Sequence, residues 1–141
     1  MKVLFICEHN LGRSQMARAW YNYFTGTEMA DSAGTATNMY QAKTLGEMGV
    51  ETRTMRVMSE RGFELADSMR QQITPELSQQ YDKIVSFLSE DEMPEWLNDL
   101  PQLEIWSLEN YPAADMAGVR RLCDEIFEKV LSWLNAQNLI K

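Results

Sequence analysis

KVLFICEHNLGRSQMARAWYNYFTG, residues 2–26, changes character twice, and those changes decide the fold. Residues 2–7, KVLFIC, form a continuous apolar and β-branched run, the mark of a strand buried on both faces of a parallel sheet. From Ser14 onward, Met16, Ala19, Trp20, Tyr23 and Phe24 fall at i, i+3, i+4, i+7 and i+8. That spacing predicts one apolar helical stripe, ended by Gly26. Between strand and helix stands CEHNLGR, residues 7–13.

The alternation continues downstream. A second short strand is expected within EMADSAGT (28–35), where Ser32, Gly34 and Thr35 signal its closing turn. Residues 36–50 are mixed and glycine-interrupted, so they read as a long loop with one helical turn. A helix is expected at 51–61, ended by Gly62. TPELSQQY (74–81) carries a strong helix start, with Thr74 as N-cap, Pro75 in the first helical position, and Leu77 and Tyr81 four apart on one face. KIVSFL (83–88) reads as a buried strand, EMPEWLNDL (92–100) as a short helix and LEIWSL (103–108) as another strand. From about Ala117, the residues Val119, Leu122, Cys123, Ile126, Val130 and Leu134 give a terminal amphipathic helix. Strands alternating with helices argue for one α/β domain over residues 1–141, with four parallel strands covered by helices on both faces.

Composition sets the limits on function. At 141 residues, 45% hydrophobic and 24% charged, the chain matches an ordinary globular domain. Its formal net charge of −8 repels phosphate backbones and anionic lipid surfaces, so neither nucleic acid nor a membrane is expected as a partner. An anionic substrate must then be captured by local donors acting against the global field. Two cysteines, Cys7 and Cys123, are too few for a disulfide framework, and with one histidine no metal-ligand spacing arises, so no metal or cofactor is implied. The apolar start is too short for a secretory signal and no run reaches membrane length, which predicts a cytoplasmic protein.

In an open α/β sheet, ligands bind outside the carboxyl ends of the strands, and Cys7 stands at the end of the first. The main-chain amides of Glu8, His9, Asn10, Leu11, Gly12 and Arg13, wrapping between strand and helix, are expected to converge on one point at the positive end of the helix. Such a nest captures a tetrahedral oxyanion, so phosphate or sulfate should bind there. The same field favours the Cys7 thiolate, which makes it the candidate nucleophile. Arg13 can grip two oxygens of a phosphate or arsenate and gains strength as charge builds in the transition state. Ser14 can donate to the Cys7 sulfur or cap the helix, and Asn10 tolerates the left-handed backbone that would pin the loop.

The spacing C-x5-R is weak alone: with 13 Lys plus Arg, a basic residue stands six after a given cysteine about one time in ten by chance. Its position between a buried strand and an amphipathic helix is what gives it weight. Among the other candidates, His9 can touch substrate, and Met39, Tyr40 and Trp96 can wall the pocket. Each of these types is more often incidental or packed in a core.

At these residues the chain resembles the low-molecular-weight phosphotyrosine phosphatase family. Within that family, FICEHNLGRSQMARA (5–19) is most similar to the arsenate-reductase-like branch. DSAGT (31–35) matches the second-strand turn, ITPELSQQYDKIVSF (73–87) the helix leading into the third strand, and EIWSLENYPAAD (104–115) with RRLCDEI (121–126 and its preceding Arg120) the late loop and last helix. The resemblance implies strand order 2-1-3-4 in a three-layer domain, a thiophosphate intermediate on Cys7 and Arg13 as oxyanion clamp. It implies a phosphomonoester hydrolase acting on phosphotyrosine proteins or small aryl phosphates.

The chain departs from the family pattern in two ways. Where the family has an aspartate that donates a proton to the leaving group, this chain has Asn110, and an amide cannot do that work. Asp115 is the first substitute and Glu109 the second, although each can equally be a solvated surface carboxylate. Gly12 and Leu88 also occupy places where thioredoxin-coupled arsenate reductases of the family carry further cysteines. That leaves arsenate reduction resolved by an external thiol such as glutathione or glutaredoxin as one alternative function. A phosphate-binding regulatory module with weak catalysis is the other.

Overall fold

The first strand, β1 (Val3–Cys7), is buried along its whole length. Its side chains alternate between two cores, as period-2 geometry requires. Val3 and Phe5 enter one cluster, and Leu4 and Ile6 enter another. The computed structural model describes residues 1–39, 42–48, 52–108 and 115–140. In it β1 pairs in parallel with β2 (Ala30–Gly34) on one side and with β3 (Lys83–Ser86) on the other, and β4 (Leu103–Ile105) pairs with β3. The resulting sheet is parallel throughout, in the order β2-β1-β3-β4.

The first cluster lies beneath α1 (Arg13–Thr25), α2 (Arg53–Glu60) and α5 (Met116–Ala136), with Met16, Trp20, Val57, Met58, Cys123, Ile126, Val130 and Leu134 packed over Phe5 and Val85. The second lies beneath the short helices α3 (Pro75–Ser78) and α4 (Glu95–Asn98), where Tyr81, Leu88 and Leu97 cover Ile6 and Ile84. The domain is therefore three-layered. No helix among the described residues is long and apolar enough to cross a membrane.

Local signals placed most element ends. Gly26 ends α1 in the left-handed conformation at φ 66°, its N–H donating to the Asn22 carbonyl. Thr52 caps α2 by accepting from the Met55 N–H at 3.1 Å, and Thr74 accepts likewise from Leu77 at 3.1 Å. The loop expected at 36–50 contains two short 3₁₀ turns, at 37–39 and 46–48.

Three expectations change in detail. The helix expected over 74–81 covers only Pro75–Ser78. The next residues are drawn into the sheet, where the Asp82 N–H donates to the Lys2 carbonyl at 2.9 Å and the Tyr81 hydroxyl donates to Asp31 Oδ2 at 2.6 Å. Tyr23, assigned to the buried stripe, is 66% exposed. Trp20, Phe24, Phe63 and Phe127 already close the core there, and Tyr23 lays its ring edge-on against Trp20 and Phe63 from outside. β4 is a three-residue edge strand whose Ile105 is 41% exposed, so the sheet is fully buried only at its centre.

Ile126 is fully buried at the middle of α5. Ile126→Ala is expected to cost about 2–5 kcal/mol, read as a lowered urea midpoint at unchanged slope, because the closed layer around it can collapse only in part.

Candidate active site

Cys7 is the last residue of β1 and only 4% exposed. Its Sγ lies 3.0 Å from Ser14 Oγ. The N-cap of α1 is Gly12, with no side-chain cap, so of the two roles open to Ser14 the structure takes contact with the sulfur. The proton direction follows from the neighbours. The Gln71 N–H, which can only donate, meets Asn10 Oδ1 at 3.0 Å. That leaves Asn10 Nδ2 to donate to Ser14 Oγ at 2.8 Å, and the Ser14 hydroxyl keeps its own proton to donate, which is the direction the contact takes whenever the sulfur is a thiolate and can only accept. Asn10 is fully buried and adopts φ 56°. The loop's left-handed residue is thus also the relay between Gln71 and the serine.

The rest of the loop is held from outside. Gln15, fully buried on α1, donates from Nε2 to the carbonyls of Asn10 and Met69, each at 3.1 Å. Arg70, 7% exposed, donates from Nε and Nη2 to the His9 carbonyl at 3.2 and 2.9 Å. His9 Nδ1 lies 3.0 Å from the Ala36 carbonyl, which can only accept, so that nitrogen carries the proton. The Thr35 and Ala36 amides donate to the carbonyls of Cys7 and Glu8 at 3.0 and 2.8 Å, extending the β1–β2 pairing into the loop. Close approach makes Gly34 necessary here: a Cβ on it would meet the Glu8 oxygen at 2.7 Å and the Asn10 nitrogen at 2.9 Å.

Arg13 opens α1 and donates from Nη1 to the Phe87 carbonyl, just past β3, at 3.0 Å. One edge of the guanidinium is thereby oriented by main chain. Beside the loop opens a cleft of about 460 Å³ lined by Glu8, Thr35, Ala36, Leu88, Glu92 and Pro94. Hydrogen bonds from the Ser89 amide and hydroxyl hold the Glu92 carboxyl below the usual carboxylate range, with Arg13 adding a smaller attraction. Leu11 packs against the α1/α5 core, and Gly12 lies beside Thr54 on the first turn of α2.

The remaining candidates are placed less centrally. Asp115 is exposed and N-caps α5, its Oδ1 accepting from the Ala117 N–H at 2.8 Å. Trp96 packs against the α3/α4 core. Tyr40, Glu109, Asn110 and the Met39 side chain lie outside the described residues. Among the described residues, no group of three or more His, Cys, Asp or Glu could hold a metal ion. Cys123 is fully buried against Met58, and burial pushes its thiol up. Gln15, Arg70 and Gln71 were not singled out from the sequence, and Gly34 was read only as a turn signal. The three polar residues join segments more than fifty residues apart in the chain, and no local pattern signals that.

A family model described as low molecular weight phosphotyrosine protein phosphatase matches residues 2–136. Vibrio vulnificus Wzb in complex with benzylphosphonate superposes with a TM-score of 0.79 at 17% identity, over 96% of this chain and 97% of that one. An arsenate reductase from Archaeoglobus fulgidus is 29% identical, with a TM-score of 0.69 over 95% of this chain and 99% of that one. The thioredoxin-dependent arsenate reductase of Corynebacterium glutamicum is 24% identical with a TM-score of 0.69. It matches 98% of this chain, which spans 62% of its length.

Gly34→Ala tests the packing of the loop. Main chain on two sides of the added methyl must move, so a loss of about 1–3 kcal/mol is expected by urea denaturation. Weaker vanadate binding should accompany it, because the atoms displaced belong to the loop.

Proposed function

Because the chain belongs to the low molecular weight phosphotyrosine protein phosphatase family, we propose that it hydrolyses phosphomonoesters, aryl phosphates such as phosphotyrosine in particular, through a phosphocysteine on Cys7. The observation that carries this reading is the chain of donors running from the Gln71 amide through Asn10 and Ser14 to the Cys7 sulfur. The attacking thiolate can only accept a hydrogen bond, and the Ser14 hydroxyl stands 3.0 Å away to donate one. The loop amides and Arg13 hold the phosphoryl oxygens and take up the charge that builds on them in the transition state.

In the first step the Cys7 sulfur forms a bond to phosphorus while the ester oxygen leaves with the bonding pair and takes up a proton. In the second, water attacks phosphorus, loses a proton, and the P–S bond breaks to return the thiolate and inorganic phosphate. The proton donor is assigned to the loop before α5, with Asp115 first and Glu109 second. Asp115 spends one oxygen on the helix cap, which leaves the other to carry the proton.

A second reading is favoured by the 29% identity to an arsenate reductase. Cys7 displaces hydroxide from arsenate, and an external thiol of the glutathione or glutaredoxin class then attacks the Cys7 sulfur. The S–As pair passes to arsenic, reducing it to arsenite and leaving a mixed disulfide for a second thiol to reduce. The chemistry draws on an outside thiol because Gly12 and Leu88 carry none and Cys123 is packed in the core.

Turnover of p-nitrophenyl phosphate is expected in the parent and not in Cys7→Ser. A parent with neither turnover nor burst overturns the hydrolase. Tight vanadate binding without product would then identify a binding module, and arsenate-dependent oxidation of a glutathione or glutaredoxin couple would identify the reductase. Asp115→Asn separates the acid from the cap, since asparagine caps a helix as well as aspartate does. As the acid, Asp115 is worth about 10²–10⁴ in kcat, and its loss should remove the basic limb of the pH–rate profile. An unchanged profile transfers the role to Glu109, for which Glu109→Gln is the matching test.

A further inference from the structure

Arg70 lies outside the C-x5-R loop, yet its guanidinium gathers main-chain carbonyls from separate stretches of chain. It donates to His9 in the anion loop at 3.2 and 2.9 Å, to Thr37 at 3.0 Å, and to Ala42. Its own N–H donates to the Lys43 carbonyl at 2.8 Å, and Thr44 bridges to Met69 in antiparallel fashion. The neighbours face the same way: the Met69 carbonyl accepts from Gln15, and the Gln71 N–H donates to Asn10. Residues 69–71 therefore form a brace running along the outside of the loop, with a buried cation at its centre.

We propose that Arg70 is a positioning residue for oxyanion capture, orienting and polarising the His9–Asn10 peptide and joining the anion loop to Thr37 and to Ala42 and Lys43. The proposal rests on the anion-binding reading of residues 7–13. All described peptide bonds are trans, and in a planar trans peptide the C=O and the following N–H point in opposite directions. A His9 carbonyl fixed outward on Arg70 therefore turns the Asn10 N–H the other way, into the loop. A cation hydrogen-bonded to that carbonyl also draws charge through the amide, making its N–H a stronger donor to an anion. The same guanidinium holds Thr37 and Ala42, so the loop and this neighbouring wall share one anchor. Lysine cannot replace it, because a single ammonium lacks the rigid planar fork that spans these carbonyls.

Vanadate affinity and p-nitrophenyl phosphate kinetics of the parent, Arg70→Lys and Arg70→Ala test this. Both variants are expected to bind vanadate at least about tenfold more weakly while keeping the parent's circular dichroism, and both should lose kcat as well as gain KM. Guanidinium ion at tens of millimolar should restore much of the Arg70→Ala loss, whereas ammonium should not. Amide exchange on the parent provides a measure that needs no variant to fold: vanadate should slow exchange in peptides covering 8–14 and 42–48 together. Folded variants with vanadate affinity within twofold of the parent overturn the proposal, as does protection confined to 8–14. A parent that binds no vanadate overturns both the phosphatase reading and this inference. A parent that binds and turns over while the variants match it overturns this inference alone.

Discussion

The loop's shape rests on a single buried side-chain amide committed at both ends. Asn10 accepts from the Gln71 N–H and donates to the Ser14 hydroxyl, while its backbone sits at φ 56°, a conformation asparagine tolerates better than most residues. Burial makes this arrangement strict. A buried amide group that loses a partner costs about 1–3 kcal/mol, so the network holds when every member is satisfied and fails as a unit. The sulfur, the serine and the turn of the loop all follow from it.

The sheet supplies the frame. β1 is buried on both faces and flanked by β2 and β3, so the chain leaving its carboxyl end has main chain on either side. Gly34 presses against the loop from the β2 side, and the Phe87 carbonyl holds Arg13 from the β3 side. The loop of residues 7–13 is thus built on rigid elements, with residues 69–71 closing it from outside. Preorganisation of this kind is how donors act on a developing charge without reorganising during the reaction.

Electrostatically the site works against its own molecule. A net charge of −8 disfavours any approaching phosphate, and Glu8 and Glu92 line the cleft beside the loop. On the proposed reading, capture falls to short-range donors: amide groups, the α1 terminus and Arg13. Such interactions act at contact distance within the loop, whereas the field of the exposed acidic surface is screened beyond a Debye length of about 10 Å. The Ser14 hydroxyl lies 3.0 Å from the Cys7 sulfur, likewise at contact distance.

Much of this was written locally. The run VLFIC, the stripe through Met16 and Trp20, the stop at Gly26, the cap at Thr74 and the loop CEHNLGR all follow from periodicity, capping and turn chemistry. From them come the α/β class, the parallel sheet and the place of the candidate nucleophile. Local pattern misjudged Tyr23 and the length of α3, because burial at a helix end and the pull of a neighbouring strand are properties of the packed molecule. It was silent on Gln15, Arg70 and Gln71 for the same reason. A buried polar side chain looks like any surface one until the carbonyl it must satisfy arrives from a distant segment. Sequence alone determined which elements form and which loop is the candidate anion site; tertiary structure decided which residues hold that loop in shape, because hydrogen bonds between remote segments exist only once the chain has folded.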